Sequence, residues 1–533
     1  MGVPGLFMNY YKKYNKTNEL TIEPSELSKM NVGDLFFDLN SLLHPCAHQI
    51  LAANHDKYLL IDNINVRLEL IEKDIITNCI NYTKFIISQV SPENVYLVID
   101  GVAPRSKMNQ QRERRYKSEF LRKLDEIPLW DSNNITPGTK FMDKLIEELK
   151  KLKDIILSDS NEPGEGEHKI MKIIEQKNLA DKVMIYGLDC DLVFLSILHK
   201  FSDDIILVRD NSFNNTLSDD KKVIDFINIK NLKSYIYNDF LGVLQQTKYD
   251  TNSLVKNLLI DDYVFLCFFL GNDFLEHLPS VYIKKNGIDT LMKAYSNAYK
   301  GEYLINFNTE NKTKDIINTN FLRDIMYQLR NHESYFFKNY NSEFFTESTL
   351  TDTIEKDEKV CFYDGSGEGL LNLKTKNYKQ KYNIYYGIKT NELKDVCLNY
   401  IEGLLWVFYY YKGHVHQNWS WFYRYHNSPF CSDLFDFVKN NPILIDSLDF
   451  KKDNPFTPIK QLCLVLPKKS LLNILKELNY DNEHSLILFI NNKNFNNKYY
   501  PEKLFIDIIN KRYLWQSKIF FENIDDNIID LFI

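Results

Sequence analysis

Val95-Tyr96-Leu97-Val98-Ile99-Asp100 is a run of five apolar residues closed by an acid. Its apolar character is continuous rather than alternating, which is how a strand buried on both faces of a parallel sheet reads. Three other segments repeat the pattern: Leu35-Phe36-Phe37-Asp38, Val183-Met184-Ile185-Tyr186-Gly187-Leu188-Asp189 and Ile205-Ile206-Leu207-Val208-Arg209-Asp210. Helical stretches lie between them, for instance Asp62 to Ser88 and Lys140 to Ile156. This alternation predicts an α/β fold with a mostly parallel central sheet and flanking helices. Ligands of such sheets sit beyond the carboxyl ends of the strands. Asp38, Asp100 and the pair Asp189/Asp191 all fall there.

At ~150 residues per domain, 533 residues suggest about three to four domains. The net charge of −7 excludes bulk attraction to nucleic acid or an anionic membrane, so any such contact needs a local basic patch. The eight cysteines are scattered without a CxxC pair, which speaks against a zinc ribbon. The start of the chain does not read as a secretory leader, and no apolar run approaches the ~18 residues of a membrane span. A reduced, intracellular protein with no membrane partner is expected. Residues 1–283 form a first ordered region. A connector over 284–393 is dominated by Asn, Lys, Thr and Asp in runs such as Asn308 to Thr319 and Glu347 to Lys359. A second ordered block over 394–533 opens with Tyr400 to Tyr411, a helix apolar almost all round and hence buried.

The chemistry starts with the acids. Besides Asp38 and Asp100 there are Glu165 and Glu167 flanking Gly166, Asp189 and Asp191 flanking Cys190, and Asp273 after Gly271-Asn272. Two carboxylates ~4 Å apart repel by roughly 1–4 kcal/mol near a surface. Seven converging on one cleft require a multivalent cation. Hard oxygen ligands suit Mg²⁺ or Mn²⁺, with two ions clamping the attacking water and the leaving oxygen of a phosphodiester. Spacing alone reads as metal-dependent phosphotransfer or hydrolysis, against the plainer reading of separate surface or capping acids.

Between residues 104 and 123 there are eight basic and two acidic residues, a local charge of +6. Lys107, Gln111, Arg114 and Arg115 share one helix face. No apolar residue stands between Met108 and Tyr116, so this is not an ordinary core helix. Following directly on Asp100, it reads as a phosphate-binding surface beside the acids. Trp419 and Trp421, in Asn418-Trp419-Ser420-Trp421-Phe422-Tyr423-Arg424-Tyr425-His426, are core or base-stacking residues; one is expected inside and the other against a base. His44 reads as a general base, a stacking partner or a core histidine, with the core reading slightly ahead.

Together these strings closely resemble the eukaryotic 5′→3′ exoribonuclease family, with its cytoplasmic messenger-RNA-degrading and nuclear branches. The resemblance rests on Met1-Gly2-Val3-Pro4, Asp38-Leu39-Asn40 through Cys46, Ile99 through Arg115 and Ile135 to Thr139. It continues through Pro163 to Lys169, Tyr186 to Leu192, Asp261 to Pro279, Glu402 to Gly413, Trp419 to His426 and Tyr513-Leu514-Trp515 to Asp525. It spans nearly the whole chain except about 284–375. It implies a nuclease core related to the PIN and flap-nuclease fold over 1–283, and a mainly helical second region wrapped around it to close the site. It implies two Mg²⁺ ions held by Asp38, Asp100, Glu165, Glu167, Asp189, Asp191 and Asp273. It also implies a 5′-monophosphate pocket of Lys107, Gln111, Arg114 and Arg115, and a terminal-base sandwich of His44 with one of the two tryptophans, Trp419 ahead of Trp421. The reaction it implies is processive removal of 5′-nucleotides from single-stranded RNA with a 5′-monophosphate. Decapping proteins are then candidate partners, the expected state is a monomer, and the expected place is the cytoplasm, with the nucleus kept open.

Three departures from the family pattern stand out. Glu276 replaces a proline after Asp273-Phe274-Leu275, an extra acid expected near the metal cluster; Cys190 replaces alanine and Ser41 replaces glycine. The chain also stops after the core, as a compact member of the family would. The alternatives are a structure-specific DNA flap nuclease and a catalytically silent RNA-binding decay scaffold.

Overall fold

The computed structural model describes residues 3, 5–15, 20–27, 29–122, 129–177, 181–210, 224–249, 251, 254–306, 316–344, 360–363, 379, 388–413, 418–492, 498–501, 504–507, 517–522, 524–525 and 527–533. Met1, Gly2, Pro4, Lys123, the segment Tyr513-Leu514-Trp515 and much of the polar runs within 308–359 lie outside them. The four acid-ended apolar segments are all strands: β1 (Val32–Asp38), β2 (Asn94–Val98), β4 (Lys182–Tyr186) and β5 (Ile205–Asp210), with β3 (Ile155–Ser158) and β6 (Ile224–Asn228) beside them. The order in the sheet is β3-β2-β1-β4-β5-β6. Every pairing is parallel except β5 with β6. The chain runs outward from β1 to β3, then returns to the other side of β1 with β4. The topological switch point, where an open α/β sheet leaves a crevice, is therefore between β1 and β4.

Alternate residues of each strand feed a core on either face. Phe36, Val98, Ile185 and Leu207 join one buried cluster, and Leu35, Phe37, Leu97, Met184 and Val208 the other. Both faces are covered, which is why these strands carry no polar alternation. Helices α1 (Leu39–Ala53) and α2 (Ile64–Val90) follow β1, and α3 (Arg105–Arg122) follows β2. Helix α4 (Gly166–Glu175) leads into β4 and α5 (Asp191–Leu198) leaves it.

One predicted boundary is corrected. The helix expected over 140–156 ends at Leu149, and the chain re-enters the sheet as β3. Asp154 breaks the path with a φ of 60°, and Ile156, on an edge strand, is 50% exposed. A half-exposed edge strand lacks the continuous apolar signal that identified its neighbours. The stretch 284–393 contains the helices Gly287–Ala298 and Thr319–Phe344, and a strand β7 (Val360–Tyr363). In the second region, α6 (Leu393–Tyr411) and α7 (Pro458–Val465) accompany β8 (Leu504–Asp507) and β9 (Lys518–Phe520), which complete a three-stranded sheet with β7. Among the described residues no helix is long and apolar enough to cross a membrane.

Helix α3 shows how the two regions join. Arg105 and Arg112 are each only 2% exposed, although the helix is polar throughout its middle. Arg112 donates to the carbonyls of Leu464 (2.9 Å) and Tyr499, and its guanidinium lies 4.7 Å from the Phe521 ring. Met108 enters a second-region core with Leu462, Leu466 and Tyr499. The helix α3 is thus buried by charged hydrogen bonds to backbone carbonyls of the second region as well as by the apolar contact of Met108.

Between β2 and α3, Gly101 and Val102 exchange hydrogen bonds with Gly164 (2.9 and 2.8 Å). A Cβ at Gly101 would lie 1.9 Å from the Glu162 carbonyl oxygen, a backbone atom with nowhere to move. Gly101→Ala is expected to cost at least about 1–3 kcal/mol and to lower the thermal midpoint by several degrees. An unchanged melting curve would contradict this packing.

Candidate functional site

The acids gather where the sheet topology leaves its crevice. Asp38 ends β1 immediately before α1, Asp100 follows β2, Glu165 immediately precedes α4, and Asp191 opens α5. A Cβ placed on Gly166 would meet Asp38 Oδ1 at 2.9 Å and Asp100 Oδ1 at 3.2 Å, so glycine here is what allows both carboxylates to close on the start of α4. The Gly166 N–H donates to Asp100 Oδ1 (2.6 Å), with the positive end of the helix behind it. Asn40 Nδ2 holds the other Asp100 oxygen at 2.8 Å, and Ser41 Oγ donates to Asp38 Oδ2.

Lys107 is the central cation. Its ammonium lies 2.6 Å from Glu165 Oε2 and 3.0 Å from Asp273 Oδ2. Burial alone would depress its pKa, but Glu165 and Asp273 hold it well above the ordinary lysine value. The acids answer in the opposite sense. Burial first, then Asp100, pushes Asp38 up to about 8. Burial, then Asp273 and Asp189, pushes Asp191 up to about 7. Glu167 is raised well above its usual range by burial and by Asp189 and Asp191, and its Oε2 is buried without a hydrogen-bond partner. Asp189 Oδ1 accepts from the Cys190 N–H (2.9 Å), and Arg209 donates to the Asp189 carbonyl (2.9 Å), tying that turn back to β5.

All seven predicted acids therefore lie in contact or in mutual charge coupling. They do not close on a common point: among the described residues no three His, Cys, Asp or Glu side chains are disposed to hold a metal ion. Lys107, expected to face a phosphate, bridges two of the acids instead.

The rest of the basic face divides. Arg114 is exposed, and Gln111 Oε1 is buried without a hydrogen-bond partner. Arg115 is anchored to a loop, donating to Asn133 Oδ1 (3.0 Å) and, at 3.5 Å, to the Ile135 carbonyl. Burial, and Arg114 beside it, push it down to about 9. His44 faces the same pair: burial first, then Arg114 and Arg115, lowers it to about 3. Such an imidazole is neutral at physiological pH and a weak base, which favours the stacking or core readings over the general base.

Trp419 is 4% exposed, and its carbonyl accepts from the Arg105 N–H (2.8 Å) at the start of α3. Trp421 stacks on Trp406, with centroids 5.0 Å apart and planes at 24°. Glu276 ion-pairs with Lys518 of β9, so the extra acid is drawn toward the second region. Sequence reasoning missed Tyr410 and Tyr411, whose hydroxyls donate to Glu165 Oε1 and Asp191 Oδ1. It also missed Lys169, which clamps the carbonyls of Ile99 (2.8 Å) and Asp159 (2.7 Å) behind the cluster. The tyrosines were legible only as part of a buried helix; nothing local to them indicates which acids they meet.

Comparison with known proteins gives matches along most of the chain. Residues 1–211 match the family described as "XRN 5'-3' exonuclease N-terminus". Residues 255–364 and 367–529 match "Xrn1 helical domain". The chain is 27% identical over 371 residues to 5'-3' exoribonuclease 2 of Candida albicans, covering 56% of this chain and 36% of that protein. It is 24% identical over 724 residues to 5'-3' exoribonuclease 2 of Debaryomyces hansenii, covering 99% and 69%. It is 26% identical over 609 residues to human 5'-3' exoribonuclease 1, covering 99% and 34%. The chain thus spans only about a third of the Candida and human relatives.

Asp38 and Asp191 have folded values of about 8 and about 7, far above those of an unfolded carboxyl. The folded chain favours their protonated forms, so this contribution to stability is complete below the unfolded carboxyl range of ~4, is lost progressively as pH rises, and is gone above about 7–8. With divalent ions chelated, the thermal midpoint should fall between about pH 4 and about pH 8 and level off above, and Asp38→Asn with Asp191→Asn should flatten the fall. A midpoint that rises over this interval would refute the clustering of charge.

Proposed function

The chain belongs to the XRN 5'-3' exonuclease family, and on that premise we propose that it is a processive 5′→3′ exoribonuclease acting on single-stranded RNA that carries a 5′-monophosphate. One observation carries this reading: Lys107, on the same helix as Arg114 and Gln111, reaches into the carboxylate cluster at the sheet's switch point. A terminal phosphate on this helix lies next to the acids, so the first phosphodiester is the bond nearest them. Arg114 and Gln111 would bind the terminal phosphate by charge-assisted and neutral hydrogen bonds, with Arg115 fixing the wall behind. The neutral His44 ring, beside Arg114 and Arg115, suits stacking on the first base.

The chemistry of the donor set, oxygen ligands throughout, suits a hard divalent cation, and the side chains would draw together to share one. Burial and neighbouring carboxylates raise Asp38, Glu167 and Asp191, and Glu167 Oε2 lacks a partner. Asp38, Asp100, Glu165, Glu167, Asp189, Asp191 and Asp273 would hold two Mg²⁺ ions, or Mn²⁺ in their place. Such ions, when bound, activate water and neutralise the charge of the departing oxygen. Lys107, which pairs with Glu165 and Asp273, would supply positive charge between those carboxylates and the terminal phosphate. Each cleavage exposes a new 5′-phosphate, so advance by one nucleotide restores the starting complex, which is the physical basis of processivity. A flap nuclease reading lacks an equivalent reason for the exposed arginine and the half-buried glutamine with an unpartnered Oε1 on one helix face.

RNA with a 5′-phosphate should be degraded to mononucleotides with Mg²⁺ present and left intact with EDTA, while Asp189→Ala should abolish the reaction. Arg114→Ala should reduce the preference for 5′-phosphate over 5′-hydroxyl ends by about tenfold to a hundredfold, one charge-assisted hydrogen bond of ~1.5–3 kcal/mol. A preference for a DNA flap over phosphorylated RNA, or equal activity of Asp189→Ala, would overturn the proposal.

A further inference from the structure

We propose that Tyr410 and Tyr411 are positioning residues, by which α6 of the second region aims the carboxylates of Glu165 and Asp191; this rests on the nuclease reading above. The two tyrosines are consecutive, 2% and 4% exposed, and each reaches a different acid. Tyr410 donates to Glu165 Oε1, while Lys107 holds Glu165 Oε2 at 2.6 Å. Both oxygens of that carboxylate are thereby fixed from opposite elements. Tyr411 donates to Asp191 Oδ1, one residue into α5.

What fixes the phenols is a stack of rings that leads back to the tryptophan motif. Tyr410 lies on Trp406 (5.0 Å, 14°), and Trp406 lies on Trp421 (5.0 Å, 24°). Phe274, next to Asp273, packs edge-on against both Trp406 (5.2 Å, 71°) and Tyr410 (5.3 Å, 82°). Asn418 locks the far end: its carbonyl accepts from Trp406 Nε1 (3.1 Å) and its side chain accepts from the Trp421 N–H (2.7 Å). Gly403 leaves the room, since a Cβ there would lie 2.9 Å from the Trp421 ring. Trp421 is therefore a brace for Tyr410. Tyr411 is held separately by Phe268 (5.4 Å, 49°) and Phe194 (6.3 Å, 67°).

A carboxylate held on one side only samples several rotamers, and a misplacement of ~1 Å in a catalytic group costs ~100-fold. Phenylalanine at 410 and 411 keeps the rings and their stacking and removes only the hydroxyls. Tyr410→Phe, Tyr411→Phe and the double variant are compared with the unaltered chain by Mn²⁺ titration calorimetry without RNA. The Mg²⁺ dependence of degradation of 5′-phosphorylated RNA is then measured. The double variant is expected to bind Mn²⁺ about tenfold to a hundredfold more weakly. Its half-saturating Mg²⁺ should rise by a similar factor, with activity recovering at high Mg²⁺ and KM for RNA unchanged. Trp421→Leu should reproduce the Tyr410→Phe profile. Wild-type Mn²⁺ affinity and Mg²⁺ dependence in the double variant would overturn the inference while leaving the nuclease reading intact. If the unaltered chain neither binds Mn²⁺ nor degrades RNA, both fall. Should the double variant not fold, the single Tyr411→Phe variant, outside the Trp421 stack, decides by the same two measurements.

Discussion

Seven carboxylates packed into one largely buried crevice repel, and the rest of the structure is arranged around that repulsion. In the effective dielectric of a protein edge, each close pair costs on the order of kilocalories. The chain supplies partial compensation from several directions. Lys107 bridges Glu165 and Asp273, the start of α4 offers its N–H to Asp100, and Ser41, Tyr410 and Tyr411 donate to Asp38, Glu165 and Asp191. What remains unbalanced appears as protons retained on Asp38 and Asp191 near neutral pH. The residual charge demand is the property on which the proposed binding of a divalent cation rests.

The same constraint explains the placement of a polar helix at the junction of the two regions. Lys107 must descend into the acids, so α3 must run across the carboxyl edge of the sheet rather than over solvent. The face it turns to the second region is then buried whatever its composition. Arg112 answers with hydrogen bonds to second-region carbonyls and with the Phe521 ring, and Arg105 lies over Phe422 at 5.0 Å. The second region is thus part of the acid site: it provides the far wall of α3 and the phenols on two carboxylates.

Much of this was legible in the sequence, for identifiable reasons. Strands buried on both faces announce themselves as unbroken apolar runs, and the acid after each run marks the carboxyl edge where the site lies. Edge strand β3 was absorbed into a helix because its residues are half-exposed and carry no period of their own. The basic face of α3 was legible as charge, but not its division of labour. Arg115 turning to Asn133 and Lys107 to the acids depend on loops distant in sequence. The reading of Trp419 and Trp421 as one inside and one against a base meets a structure in which Trp419 is 4% exposed and Trp421 stacks on Trp406. Alternation of aromatics marks a surface that stacks; it does not say whether the partner is a base or another ring.

Glu276 makes the same point about departures from a motif. Beside Asp273, an added carboxylate would compound the repulsion that governs the site. Instead its side chain meets Lys518 on β9, and the pair's mutual attraction holds the Lys518 ammonium above its usual pKa despite burial. Tyr400 meanwhile donates to the Glu276 carbonyl at 2.8 Å, so backbone and side chain of this residue are both held by the second region. A proline in this place constrains the loop through its ring; a glutamate cannot, and here the constraint is supplied by an ion pair across the regions. The substitution therefore trades local stiffness for a long-range tether on the same loop that carries Asp273. A charge next to a catalytic motif belongs to that motif only when no opposite charge elsewhere in the chain claims it first.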